Sequence, residues 1–173
     1  MAPPNIIAFD LSLRATGVAH HDGSTHRIRP KETGAARLAE LRDRILGCAT
    51  VPWADLIVLE GLALRANGGG HAELAGLHTL IKVALWEREQ AFVEVPPATL
   101  KKAATGRGNA QKPDLRAELI KRAGLDLADD NECDAWWLRY TALHHYGHAP
   151  FEVPQNHRDA IEKIDWPVIE EQR

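Results

Sequence analysis

Cysteine is scarce: Cys48 and Cys133 are the only two in 173 residues. They lack metal-type spacing and suggest no disulfide framework, so a reducing, cytoplasmic setting is expected. No apolar run approaches the roughly 20 residues that a membrane span needs, so no membrane partner is expected. The opening Met1-Ala2-Pro3-Pro4-Asn5 has no basic segment followed by an apolar one, so no secretory signal is expected. Internal repeats and low-complexity tracts are missing. So are a Gly-x-Ser-x-Gly elbow and a Walker loop. The nine histidines show no zinc-type spacing. Hydrophobic residues make up 45% of the chain and charged residues 26%, as in one ordinary globular domain.

Neither sign of charge dominates, the net charge being −3. Its distribution is uneven. Residues 145–173 hold six acids and three bases, which leaves residues 1–144 neutral. Residues 99–122 carry Lys101, Lys102, Arg107, Lys112, Arg116, Lys121 and Arg122 against only Asp114 and Glu118. Such a basic zone suits either a phosphate backbone or a solvated helix face.

Apolar runs with turn residues between them predict strands over 5–10, 17–21, 25–29, 55–60 and 92–95. Asp22-Gly23 supplies a hairpin turn. Helical spacing predicts helices over 33–49, after the Gly68–Gly70 break, and over 98–104, 113–123 and 130–146. Three strands followed by alternating helix and strand indicate an α/β fold, a mixed five-stranded sheet covered by helices. Residues 1–146 form the domain in this reading. Residues 147–173 have three prolines and little periodicity, and are read as a tail packed on or beside it.

Two buried strands end on acids. Asp10 follows Ile6-Ile7-Ala8-Phe9, and Glu60 follows Leu56-Ile57-Val58-Leu59. A carboxylate at the edge of an apolar sheet is partly desolvated and needs a partner or a cation. A third acidic element, Asp129-Asp130-Asn131-Glu132-Cys133-Asp134, opens the last helix. Asp130 and Asp134 stand four apart and share a face, and Asn131 nearly does. One joint explanation is a divalent-metal site of Asp10, Glu60, Asp134 and one more helix residue, Asp130 or Asn131. All-oxygen ligation suits Mg²⁺, with Mn²⁺ substituting. Two such ions could clamp a phosphodiester. Capping is the competing role at the helix: Asp129 and Asp130 as N-caps, Glu132 closing a capping box. Glu60 could also be a loop acid facing water.

These residues resemble a known family. Asp10-Leu-Ser-Leu-Arg-Ala-Thr-Gly17 is similar to the first-strand signature of RuvC-type Holliday junction resolvases, within the RNase H-like nuclease superfamily. Val58-Leu-Glu60 resembles the second acidic strand, Thr105–Lys112 the Gly-x-Gly-x-Ala-x-Lys segment, and Asp134-Ala135 the closing pair on the last helix. The resemblance covers residues 5–146, and the Asp-Asp-Asn-Glu-x-Asp-Ala form is most like bacteriophage members. It implies an RNase H-like fold and a homodimeric endonuclease acting on four-way or branched DNA in the cytoplasm of the cell, or of the host. It implies Asp10, Glu60 and Asp134, with Asp130 as the candidate fourth, as metal ligands. Lys112, with Lys101 or Lys102, would act near the scissile phosphate, and Arg107 and Arg116 extend the candidate DNA contacts. The helix after Gly70 would match the dimer helix. Its Leu74/Leu77/Ile81/Leu85 stripe serves either as the seam or as packing on its own sheet.

Two departures stand out. Cellular relatives carry an acid three residues before the final Asp, where this chain has Asn131. They also carry a base-stacking aromatic soon after the second acid, where this chain has Gly61-Leu62-Ala63-Leu64. The missing wedge widens the expected substrates beyond strict four-way junctions. Rival readings are an RNase H-like nuclease for flaps, forks or RNA–DNA hybrid, and a catalytically inactive binding domain of the same fold. Among other features, Ser12 is read as a turn hydrogen-bonder and Trp137 as core.

Overall fold

A computed structural model describes residues 2–49, 53–62 and 70–169. Its elements are β1 (Ile6–Asp10), β2 (Thr16–Ala19), β3 (Thr25–Ile28), α1 (Gly34–Ala49), β4 (Leu56–Glu60), α2 (His71–Trp86), β5 (Phe92–Val95), α3 (Pro97–Thr105), α4 (Lys112–Ala123), α5 (Asp130–His145) and α6 (Gln155–Ile161). The strands form one mixed sheet in the order β3-β2-β1-β4-β5. β1, β2 and β3 form an antiparallel meander. β4 and β5 then run parallel to β1, each reached through a helix.

Alternation along the strands feeds two cores. Ile6, Ala8, Val58 and Val93 face the helices α3 to α6, where Trp137 and Tyr140 are the largest buried side chains. Ile7, Phe9, Ile57 and Leu59 face α1 and α2. Both faces of the sheet are covered, which is why β1 and β4 read as unbroken apolar runs.

Leu77, Ile81 and Leu85 of α2 are fully buried in the second core, and Leu74 packs against it. The stripe is therefore spent on the chain's own sheet, and the dimer-seam alternative for it is corrected. Trp137 is fully buried, and its indole N–H donates to the Leu115 carbonyl at 3.1 Å.

Beyond Tyr146 the chain adds α6, a two-turn helix with no periodic signature. Val153, Ile161 and Ile164 are buried in the first core. His157 Nδ1–H donates to the Ala103 carbonyl at 2.9 Å, and the Tyr140 hydroxyl donates to the Phe151 carbonyl at 2.9 Å. No helix among the described residues is long and apolar enough to cross a membrane.

Candidate metal centre and cleft

β1 and β4 are parallel neighbours, so their last residues, Asp10 and Glu60, emerge at the same edge of the sheet. The first turns of α5 cross that edge and bring Asp134 to them. One carboxylate oxygen from each of Asp10, Glu60 and Asp134 lies within 4.8 Å of the others. They line a cleft of about 280 Å³ with Leu62, His78, Lys101, Lys112 and Asn131.

The turn between β1 and β2 is braced for this purpose. The Thr16 hydroxyl donates to the Ser12 carbonyl at 3.0 Å and accepts from the Ser12 N–H at 3.1 Å. Ser12 Oγ in turn accepts from the N–H groups of Arg14 and Ala15. The Ala15 carbonyl then receives the Asn131 side-chain N–H at 2.7 Å, which ties α5 to the turn.

Each polar residue of the acidic segment has a separate task. Asp129 is the N-cap of α5, accepting from the N–H groups of Asn131 at 3.0 Å and Glu132 at 3.3 Å. Glu132 turns to β3, where Thr25 donates to it at 2.7 Å and Arg27 pairs with it at 3.1 Å. Asp130 is half-exposed, with Lys112 Nζ 3.7 Å from its carboxylate. It is not among the three converging carboxylates. Asn131, one residue on, does line the cleft.

Burial and crowding shape the charges. Asp10 and Asp134 are only 7% and 8% exposed. Burial, reinforced by Glu60 and Asp134, raises the Asp10 carboxyl well above its ordinary range. Asp134 is pushed up to about 7 by burial and then by Glu60, with Lys112 and Lys101 pulling against the shift. The convergence of Asp10, Asp134 and Glu60 favours a bound cation. Their convergent oxygen donors, buried at Asp10 and Asp134 and partly buried at Glu60, fit a hard divalent ion. Among the described residues no histidine joins such a group. Cys133 is buried, its thiol pushed up to about 12 chiefly by burial.

The basic zone divides. Lys101 and Lys112 line the cleft. Arg107 is exposed on the loop after α3, 3.3 Å from Asp114. Arg116 pairs with Asp126 at 2.6 Å, away from the cleft wall. Lys102, partly buried on α3, does not line it either. Of residues 61–64, which include no stacking aromatic, Ala63 and Leu64 lie outside the described residues.

His78, which the lack of zinc-type spacing leaves unassigned in the sequence, is 3% exposed in the cleft wall. Burial lowers its imidazole below the ordinary value, against the pull of Glu94. The available signal was its position on the inner stripe of α2, four residues after Leu74.

No protein-family model matches the chain, and no curated protein matches it. Solved structures do. Thermus thermophilus RuvC matches with a TM-score of 0.65 at 16% identity, over 83% of this chain and 97% of that one. The T. thermophilus RuvC complex with a Holliday junction substrate matches with a TM-score of 0.66 at 17% identity, over 84% and 98%. The yeast mitochondrial Holliday junction resolvase matches with a TM-score of 0.53 at 13% identity, over 83% and 82%. The chain has the RuvC-like form of the RNase H fold.

Proposed function

We propose that this chain is a metal-dependent, structure-selective endonuclease of the bacteriophage RuvC type. It resolves Holliday junctions and other branched DNA as a homodimer. The observation that carries this reading is the convergence of Asp10, Glu60 and Asp134 in one cleft walled by Lys101 and Lys112. The solved structures sharing the fold include resolvases, one bound to a junction.

In this reading Asp10, Glu60 and Asp134 hold Mg²⁺, with Mn²⁺ substituting. Asn131 takes the fourth position in place of Asp130: its amide nitrogen is spent on Ala15, which leaves its oxygen for the cleft. The bound ions supply Lewis-acid activation of water and neutralise charge at the leaving oxygen in a two-metal hydrolysis. Lys112 offsets the charge that builds on the phosphoryl oxygens, and Asp130 holds it in place. Lys101 and Lys102 grip the strand beside the cleft, and Arg107 and Arg116 meet phosphates further along an arm. Backbone contacts of this kind read shape rather than sequence.

Cutting two opposed strands needs two sites. The outer face of α2 supports the dimer: Thr79, Val83 and Trp86 follow one another at helical spacing, all exposed, Trp86 by 74%. Between Glu60 and Gly70 the sequence has no aromatic residue, which favours branched substrates beyond the four-way junction.

The test is cleavage of a labelled immobile four-way junction beside flap, fork, linear duplex and RNA–DNA hybrid, in Mg²⁺, Mn²⁺ and chelator. Paired symmetric nicks at the junction, with weaker cutting of fork and flap, are expected. Cutting of hybrid alone would make it a ribonuclease. No cutting with either metal would leave a binding domain.

A further inference from the structure

His78 is a buried titratable side chain that the metal centre does not use. Its Nδ1 is fully buried and has no hydrogen-bond partner among the described residues. The nearest counter-charge is Glu94 Oε1 at 3.7 Å, and Glu94 Oε2 is itself held by Lys82 Nζ at 3.0 Å. A buried polar atom left unpaired is costly, so native folds rarely keep one without a task.

The three side chains form a line across two elements. Lys82 and His78 are one helical turn apart on α2, and Glu94 is on β5, all reaching the space between helix and sheet. A small approach of Glu94 completes the Nδ1–H···carboxylate bond. That bond selects the tautomer of a neutral imidazole and leaves Nε2 as an acceptor. Because the ring lines the cleft and Nδ1 faces inward, Nε2 is the nitrogen able to serve the cleft. Around it stand lysines, which carry their charge to phosphate, and carboxylates, which only accept once a cation has displaced their protons. An acceptor nitrogen in such company takes its hydrogen bond from water.

We propose that His78 is a water-positioning residue of the cleft, its Nε2 accepting an O–H of the attacking water and its ring oriented by Glu94 and Lys82. This rests on the nuclease reading above. In the step it serves, the water oxygen bonds to phosphorus as the bond to the leaving sugar oxygen breaks. One water proton is lost to solvent, and the leaving oxygen takes one up.

Two measurements test it on the full chain. Heteronuclear NMR of the imidazole nitrogens should find His78 neutral at pH 7 with its proton on Nδ1, a preference that Glu94→Gln weakens. A proton on Nε2 would overturn the proposal whatever the cleavage data show. Single-turnover cleavage should fall about 10- to 100-fold in His78→Phe and less in Glu94→Gln. Junction affinity in chelator should stay within about 2-fold in both, because the lost group orients water rather than gripping DNA. Unchanged cleavage by a folded His78→Phe would reduce His78 to packing. Equal losses of rate and affinity would make it a DNA contact. A wild type that cuts no substrate would remove the nuclease reading and this role with it.

Discussion

Gly17 of β2 lies beneath the carbonyl of Asn131, so closely that a Cβ on Gly17 would stand 2.0 Å from that oxygen. The contact explains the glycine of the Thr16-Gly17 pair: only a bare Cα lets the first turn of α5 settle on the sheet. Asp134 is carried to Asp10 and Glu60 by the next turn of the same helix. Gly17→Ala should therefore destabilise the fold by about 1–3 kcal/mol. Thermal melting should show it, at about 2–4 °C per kcal/mol for a chain of this size. Cleavage should be lost more completely than stability, since α5 must lift.

The crowded carboxylates make a prediction about pH. Asp134 rises from an ordinary value near 3.8 to about 7 in the folded chain. A raised carboxylate means that the folded state binds more protons than the unfolded one across that window. Stability without metal should then fall as pH rises from about 4 to about 7, and stay low above it. Asp134→Asn removes the charge and should raise the melting temperature in chelator at pH 8, by a stabilisation on the order of a few kcal/mol. It should also abolish cleavage. Addition of Mg²⁺ should stabilise the wild type and not the variant. A lower melting temperature for Asp134→Asn at pH 8 would contradict the origin assigned to the shift.

With Asn131 in the proposed fourth position, the centre has one negative charge fewer than a four-acid site. Asn131→Asp should lower the Mg²⁺ concentration for half-maximal cleavage by about tenfold, because ligand charge sets affinity for hard cations. The same change removes the N–H that Ala15 accepts and sets a carboxylate against a carbonyl. Melting should therefore show a loss of about 1–3 kcal/mol in chelator. Asp130→Asn should leave the metal requirement unchanged and affect Lys112 alone. If Asp130→Asn shifts the Mg²⁺ curve and Asn131→Asp does not, the fourth position belongs to Asp130.

The two faces of α2 separate folding from assembly. Trp86→Glu places a charge on the exposed face and should convert a dimer to monomer in sedimentation, with the melting temperature nearly unchanged at low concentration. Ile81→Ala opens the core instead and should cost about 2–5 kcal/mol. A wild type that sediments as a monomer with or without junction DNA would contradict the dimer.

Much of this was legible in the residues. The strands ending on Asp10 and Glu60 were readable because both are buried on two faces and stop abruptly at an acid. The hairpin was readable from Asp22-Gly23. Which residue beside Asp134 turns to the cleft was not, because Asp130, Asn131 and Asp134 all fall near one face of α5. The rotation of that helix is settled by the Asn131–Ala15 bond and by the room above Gly17, which are contacts across 116 and 114 residues of chain. His78 escaped because a histidine on an apolar stripe looks like core until Glu94, from another element, is placed behind it. α6 escaped because a helix of seven residues is too short for a period to show.

The measurement that bears most directly on the account is cleavage of an immobile four-way junction in Mg²⁺ by the wild type and by Asp10→Asn, with binding of the same junction followed in parallel. Paired nicks are expected from the wild type, none from the variant or in chelator, and equal junction binding by both. Cleavage that survives Asp10→Asn, or that persists in chelator, would contradict the account.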